Sequence, residues 1–155
     1  MAELEAIAPY PGDEPLTRER IVTARRWAQH YGGLSAYRED SRYFFQAPLL
    51  SPDYRAEDVC AINRGNVFTL ERVLPEFLEV DFTGIDTFPI PVVMFLGRHD
   101  YTTPSQPIAD WLEHLDAPFK QAVWFERSSH MVQWEEPGKT LLSLLQYVRP
   151  LATTP

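Results

Sequence analysis

PVVMFLGRHD, residues 91–100, is the stretch that decides the fold of this 155-residue chain. Its apolar residues show no polar alternation, and a run of that length between Pro91 and Gly97 predicts a strand buried on both faces. Such strands belong to parallel sheets that are covered by helices. Asp100 follows the strand at its carboxyl end, where open α/β sheets form their ligand crevice. Asp100 is therefore the first candidate for chemistry, although an aspartate at this place also caps turns and helices.

A helix and a second strand are predicted after this stretch. Turn residues in YTTPSQP, residues 101–107, precede a helix that ends at Ala117-Pro118. Residues 121–126, QAVWFE, predict a short strand, and His130 follows it in RSSHMVQWEEP. Because the order is strand, helix, strand, we expect a right-handed crossover between two parallel strands. The apolar face of the helix consists of Ile108, Trp111, Leu112 and Leu115.

Two neighbouring parallel strands would thus each be followed, at the carboxyl end, by one side chain that can take part in acid–base catalysis. These are Asp100 after the first strand and His130 after the second. If the strands are adjacent, the carboxylate can accept the Nδ1 hydrogen of the imidazole. This bond fixes the tautomer and stabilises the imidazolium that forms when Nε2 takes a proton. The two residues together predict an acid–base pair that activates a nucleophile.

The rest of the chain is predicted to be helical. Thr17 is expected to be the N-cap of an amphipathic helix over residues 18–31, which Gly32-Gly33 ends. A second helix should end near Arg64-Gly65, and a third should begin at about Val67 and be kinked or divided by Pro75. We place a boundary between two subregions at about residue 84. A last helix is expected to start at Pro137 and stop at Pro150, with Leu141, Leu142, Leu145 and Val148 on its apolar face.

Composition narrows the classes of partner and compartment. A chain of 155 residues with 45% hydrophobic residues can bury one core. Its net charge of -8, with no segment rich in Lys or Arg, makes nucleic acid and anionic membranes unexpected partners. The one cysteine, Cys60, leaves no internal disulfide and fits a reducing compartment. Without an apolar run that could span a bilayer and without a signal peptide at the N-terminus, we expect a soluble, cytoplasmic protein.

The two stretches PVVMFLGRHDYTTP and WFERSSHMVQWEEP resemble the C-terminal part of α/β-hydrolases, most closely the proline iminopeptidase type. The resemblance implies that Asp100 is the acid and His130 the histidine of a Ser-His-Asp triad. It also implies that residues 1–84 form a helical cap and that residues 85–155 form the C-terminal part of the hydrolase core. Many members have glycine where this chain has Ser129.

The nucleophile of that family has no match in this sequence. It stands in a G-x-S-x-G turn between a strand and a helix, and nothing before Asp100 fits this pattern. Ser35, in GGLSAY, comes nearest, but Tyr37 stands where the second glycine is needed and no apolar strand precedes it. We therefore interpret Ser35 as a loop serine. By resemblance, the chain is the second part of a hydrolase that begins inside the cap.

Other residues that could carry chemistry have simpler interpretations. His99 beside Asp100 could suggest a metal pair, but adjacent residues point apart and no third ligand is evident, so a surface histidine is expected. Glu135-Glu136 are expected in the first turn of the last helix, where its dipole favours them. In iminopeptidase-like enzymes, acidic residues of the cap bind the amino terminus of the substrate. The candidates for this role here are Glu57, Asp58, Glu71 and Glu76. The simpler interpretation is that these residues lie on solvated faces of helices.

The sequence thus predicts an α/β fold, with a short parallel sheet, flanking helices and a preceding helical cap. The resemblance implies a hydrolase that releases N-terminal residues from small peptides, with Asp100 and His130 in the triad and no cofactor or metal. Half of an ester or epoxide hydrolase, or a non-catalytic assembly module, are the alternatives. Because the sheet would lack central strands, we expect a homo-oligomer or pairing with an N-terminal hydrolase half.

Overall fold

The computed structural model describes residues 2–13, 15–40 and 42–152 of the chain. The predicted cap and core ranges also include Met1, Glu14, Ser41 and residues 153–155, which lie outside the described residues.

The chain divides into two compact units. The first unit lies within Met1–Trp27 and Ser41–Asp81, and the second within Ala28–Asp40 and Phe82–Pro155. The assignment of a hydrolase cap to residues 1–84 stays a prediction. No helix in the described part of the chain combines the length and the apolar character needed to cross a membrane.

Two helices begin the chain, α1 at Ala2–Ile7 and α2 at Arg18–His30. The predicted N-cap of α2 is confirmed, because the Arg20 N–H donates to Thr17 Oγ1 at 3.3 Å. The glycines after α2 end it with a Schellman motif. Gly32 has a φ of +78°, which favours glycine, and its N–H donates to the carbonyl of Gln29 at 2.9 Å. The Gly33 N–H donates to the carbonyl of Ala28 at 2.7 Å.

The first unit continues with α3 at Arg42–Gln46, a 3₁₀ turn at Ala47–Leu50 and the long helix α4 at Ala56–Phe77. The prediction of two separate helices over α4 is wrong. Gly65 weakens a helix by only about 1 kcal/mol, which a long helix tolerates. Pro75 removes one backbone N–H donor, and α4 ends two residues after it, so little of the helix lies beyond the proline.

The second unit contains a parallel sheet of two strands, β1 at Val92–Gly97 and β2 at Lys120–Phe125. The register runs from Val92 opposite Lys120 to Gly97 opposite Phe125. Helix α5, Ser105–His114, connects the strands. The predicted α/β fold class, a short parallel sheet with flanking helices, is therefore confirmed.

The predicted burial of β1 on both faces is wrong for most of the strand. Leu96 and Gly97 are buried, whereas Val92, Val93, Met94 and Phe95 are only partly covered. The reason is the small sheet: its described part has two strands, so few neighbours cover the start of β1.

A small core lies between the sheet and the helices that follow it. Phe125 is fully buried beside Val123 and Val132, and the ring centroids of Phe95 and Phe125 are 5.4 Å apart. Helix α5 contributes Ala109 and Leu112 to the buried residues of this unit. The core therefore supports the ends of both strands, where the predicted acid and histidine follow.

The described residues after β2 form a series of short helical segments: α6 at Val132–Glu135, α7 at Pro137–Ser143, a π-helical turn at Leu144–Val148 and α8 at Arg149–Ala152. The prediction that the last helix stops at Pro150 is wrong, because α8 continues through this residue to Ala152. The predicted apolar face points largely outward: Leu141, Leu142 and Leu145 are exposed and Val148 is partly buried. Nothing described in the second unit covers these leucines.

Candidate active site

Asp100 stands at the turn that follows β1 and is 9% exposed. Its Oδ1 accepts hydrogen bonds from the backbone N–H groups of Thr102 at 2.9 Å and Thr103 at 2.8 Å. Asp100 therefore caps this turn, as the simpler interpretation of the sequence proposed. The cap also fixes the direction of the other carboxylate oxygen, which bonds to His130.

Asp100 and His130, the two predicted site residues, lie in direct contact. Asp100 Oδ2 is 2.9 Å from His130 Nδ1, and it also accepts the hydroxyl of Thr103 at 3.0 Å. The carboxylate can only accept, so the geometry fits an imidazole that carries its hydrogen on Nδ1. The Asp100 side chain is 8% exposed and that of His130 38%. The carboxylate is thus shielded from water while the ring stays accessible.

The parallel pairing of the strands brings the two turns together. The His99 N–H donates to the carbonyl of Ser128 at 3.0 Å, and the Ser129 hydroxyl donates to the carbonyl of His99 at 2.8 Å. Gly97 permits this approach, because a Cβ atom on it would lie 1.8 Å from the carbonyl oxygen of Ser129. A side chain at position 97 would push the His130 turn away from Asp100.

An ion pair joins the carboxyl ends of the two strands at the surface. The Arg98 guanidinium donates to both oxygens of Glu126, at 2.9 Å and 2.8 Å, and stacks over the ring of Trp124. Hydrogen bonding to Arg98 lowers the pKa of the Glu126 carboxyl, and the same bond raises the pKa of the guanidinium. Because both groups are exposed, we expect the pair to contribute little to stability.

The loop after α2 packs against the Asp100 turn. Residues 32–36 are buried, and the carbonyl of Gly33 accepts the Thr102 hydroxyl at 3.1 Å and the Tyr101 N–H at 3.3 Å. The Tyr37 hydroxyl lies 3.2 Å from His99 Nε2. Ser35, whose surrounding sequence comes nearest to the G-x-S-x-G pattern, is 1% exposed within this loop. Its interpretation as a loop serine stays a prediction.

Two consecutive carboxylates hold the turn in front of His130. Glu135 Oε2 accepts the Ser129 N–H at 2.8 Å, and Glu136 Oε2 accepts the Ser128 hydroxyl at 2.7 Å. The predicted place of both residues in the first turn of the last helix is wrong: Glu135 ends α6 and Glu136 precedes α7. Their carboxylates bond to the preceding turn instead, because its N–H and O–H donors lie within reach. Helical periodicity carries no signal for such a contact.

The remaining candidates differ in what surrounds them. His99 lies beside the Tyr37 ring. Among the described residues, no three His, Cys, Asp or Glu side chains lie close enough to hold a metal ion. The acidic candidates of the predicted cap belong to the first unit, where Asp58 accepts the Arg55 N–H at the start of α4 and Glu57 pairs with the Arg55 side chain. Binding of a substrate amino terminus by these residues stays a prediction.

The chain is similar in sequence to a known bacterial protein. The chain is 25% identical over 114 residues to the Probable aminopeptidase YbaC of Bacillus subtilis (strain 168). The aligned part covers 73% of this chain and 36% of that protein, so the chain spans about a third of the relative it matches. No protein-family model matches the chain, and no solved structure matches it significantly. The similarity is weak, and the protein it concerns is named as a probable aminopeptidase.

Proposed function

We propose that this chain supplies the acid–base part of a serine hydrolase of the aminopeptidase kind. His130 is the general base, and Asp100 is the residue that positions it. The observation that carries the proposal is the 2.9 Å hydrogen bond between the buried Asp100 carboxylate and the accessible His130 ring. The similarity to a protein named as a probable aminopeptidase supports the same class of reaction.

The pair would act through proton transfer at His130 Nε2. As a nucleophilic hydroxyl attacks the carbonyl carbon of the substrate, Nε2 takes its proton and the ring becomes an imidazolium. Asp100, bonded to Nδ1, stabilises that positive charge. Nε2 then gives the proton to the leaving amine, which completes acyl transfer. Water repeats the cycle to release the acid product.

The nucleophile would come from a polypeptide segment that is not among these 155 residues, because the sequence contains no G-x-S-x-G turn. Strand β1 supports a partner of this kind. Its residues are apolar and include no charge or proline, the usual protection of an exposed sheet edge. Strand β2, by contrast, begins with Lys120 and Gln121. We propose that an N-terminal hydrolase half pairs with the edge of β1 that lies opposite β2, where no described strand is bonded.

The proposed substrate is a small peptide from which the enzyme releases the N-terminal residue. The name of the similar protein supports an aminopeptidase, and the motif resemblance of residues 91–140 favours an N-terminal proline. Acidic residues of α4, such as Glu71 and Glu76, are candidates to bind the free amino group, because a carboxylate pairs with an ammonium.

A chimaera tests this proposal. The part of the Bacillus subtilis protein that precedes the aligned region is fused in front of this chain, and hydrolysis of a proline p-nitroanilide is measured. We expect turnover that depends on His130 and falls by several orders of magnitude in His130→Ala. A p-nitrophenyl ester and an epoxide, assayed in parallel, distinguish the other hydrolase classes. A folded chimaera that turns over none of these substrates would contradict the proposal.

The isolated chain is the matched control for the chimaera. Without a nucleophile it should hydrolyse neither a proline p-nitroanilide nor a p-nitrophenyl ester. Turnover by the isolated chain that is lost in His130→Ala would show that the chain carries its own nucleophile.

The second candidate function is a non-catalytic assembly module. It is favoured by the edge of β1 that no described strand pairs with, together with exposed leucines on the last helical segments, Leu141, Leu142, Leu144 and Leu145. In this case the isolated chain should self-associate, and sedimentation should report a species larger than a monomer. A monomer at all concentrations would argue against this candidate.

A further inference from the structure

The carboxylate of Glu135 connects two segments that are far apart in the sequence. Its Oε1 accepts the backbone N–H of Ala36 at 2.5 Å, and its Oε2 accepts the backbone N–H of Ser129 at 2.8 Å. Ala36 lies in the buried loop that follows α2, and Ser129 immediately precedes His130. One side chain therefore holds the His130 turn against a loop that also packs on the Asp100 turn.

The contact with Ser129 determines where the next residue can lie. The N–H of Ser129 is held by Glu135, its hydroxyl donates to the carbonyl of His99, and its carbonyl lies close against Gly97. With these three groups fixed, the backbone of Ser129 has little freedom to rotate. The direction in which the following imidazole leaves the chain is fixed as a consequence.

The hydrogen bonds that the Glu135 carboxylate accepts are charge-assisted when the carboxylate is ionised. Hydrogen bonds to an ionised group contribute more than neutral ones, and both donors here are backbone groups in partly buried surroundings. Burial raises the pKa of the Glu135 carboxyl, as does neighbouring Glu136 to a smaller extent, whereas the two N–H groups and Arg38 act in the opposite direction. Burying this carboxylate is therefore costly, and the hydrogen bonds from its two N–H partners offset part of that cost.

We infer that Glu135 is a positioning residue for His130, acting through the N–H of Ser129 and anchored by the N–H of Ala36. The inference rests on the proposed role of His130 as the base. The test measures the titration of the His130 ring and the exchange of nearby amides in this chain, and it does not measure turnover. Its outcome is therefore independent of the hydrolase assignment.

The test compares Glu135→Gln and Glu135→Asp with the unchanged 155-residue chain. NMR gives the titration midpoint of the His130 imidazole and the exchange rates of the Ser129 and Ala36 amides. Gln keeps the length of the side chain but lacks the second acceptor oxygen, and Asp keeps the charge but is one methylene too short to span both amides. In both variants we expect exchange of the two amides to rise about tenfold and the His130 midpoint to fall.

Glu113→Gln is the control, since it removes one negative charge from the exposed surface of α5. This variant should leave both readouts unchanged. If Glu135→Asp behaves like the unchanged chain, only the charge of Glu135 matters and the positioning role is overturned. Unchanged amide exchange in Glu135→Gln would overturn it as well.

A measurement on the unchanged chain keeps the inference testable if the variants fail to fold. The amide proton shifts of Ala36 and Ser129 should follow one common midpoint as the pH is varied, because a single carboxyl accepts both bonds. The ring signals of His130 should respond at that same midpoint. Two separate midpoints, or a His130 ring that does not respond, would overturn the inference.

Discussion

The two units of this chain differ in how much apolar surface they bury. In the described part of the first unit, Leu74 is the one buried apolar residue, and α4 leaves Phe68 and Phe77 exposed. In the second unit Val123, Phe125 and Val132 form a buried cluster, and α5 adds the buried residues Ala109 and Leu112. The second unit therefore has the packing of a stable core, and the first does not.

The difference shows what the candidate site requires. A hydrogen bond between Asp100 and His130 is useful only if both turns keep their positions, and these turns lie at the ends of strands that the packed unit supports. Helices that bury little apolar surface open at low free energy. We therefore expect the second unit to keep its structure under conditions that unfold the first.

The largest effect should come from truncating the same residue type in each unit. Phe125 is fully buried, so Phe125→Ala should lower the free energy of unfolding of the second unit by about 3 to 5 kcal/mol. Phe77 is 64% exposed, so Phe77→Ala should cost about 1 kcal/mol or less. Urea unfolding followed by NMR signals from each unit measures both. Equal costs for the two variants would show that the units do not differ in packing.

Glycine substitutions should give the second largest effect. Gly97→Ala places a Cβ 1.8 Å from the carbonyl oxygen of Ser129 and 2.6 Å from its carbonyl carbon, so the backbone must move. We expect a loss of about 1 to 3 kcal/mol in stability, together with separation of His130 from Asp100. The measurements are urea unfolding and the chemical shifts of the His130 ring.

Two other glycines serve as controls for this substitution. Gly138 in α7 and Gly65 in α4 have no atom within 4 Å of an added Cβ. Alanine at either position should stabilise its helix by about 0.5 to 1 kcal/mol. If Gly97→Ala were as stable as these control variants, the result would contradict the close contact between Gly97 and the turn that carries Ser129.

The third effect concerns the pair itself. In Asp100→Asn the amide can still accept the N–H groups of Thr102 and Thr103, but it loses the negative charge opposite His130. We expect the titration midpoint of His130, measured by NMR, to fall by about one pH unit. Asp110→Asn on the exposed surface of α5 is the control and should leave the midpoint unchanged. An unchanged midpoint in Asp100→Asn would contradict the contact.

The sequence predicted the strands and the pair because both depend on local signals. An apolar run between Pro91 and Gly97 defines β1, and a carboxylate or imidazole directly after a strand has a known place at the sheet edge. The single helix α4 was missed because Gly65 normally indicates an end, whereas here the helix continues through it. The low helix propensity of Gly65 is outweighed by the helical residues on both sides of it.

Contacts between distant segments could not be predicted in the same way. Glu135 and Ala36 are 99 residues apart in the sequence, and no local pattern connects them. The outward side of α7 and the π-helical turn that follows it is a related case. The spacing of Leu141 and Leu145 shows that they share a side of the helix, but it does not show what covers that side.

The smallest expected effect is a dependence of stability on pH that comes from Glu135. Burial raises its pKa above the ordinary value of 4.5, so the folded protein keeps the proton at a pH where the unfolded chain has lost it. Stability should therefore fall as the pH rises from about 4.5 through the raised pKa, and then level off.

Glu135→Gln has no carboxyl to titrate, and the difference in unfolding free energy between the unchanged chain and this variant isolates the effect. That difference should shrink over the same interval of pH, as measured by urea unfolding at a series of pH values. A difference that grows with pH would mean that the N–H groups of Ser129 and Ala36 outweigh burial. The second unit would then hold an ionised carboxylate more tightly than water does, and its tie to the His130 turn would strengthen toward neutral pH.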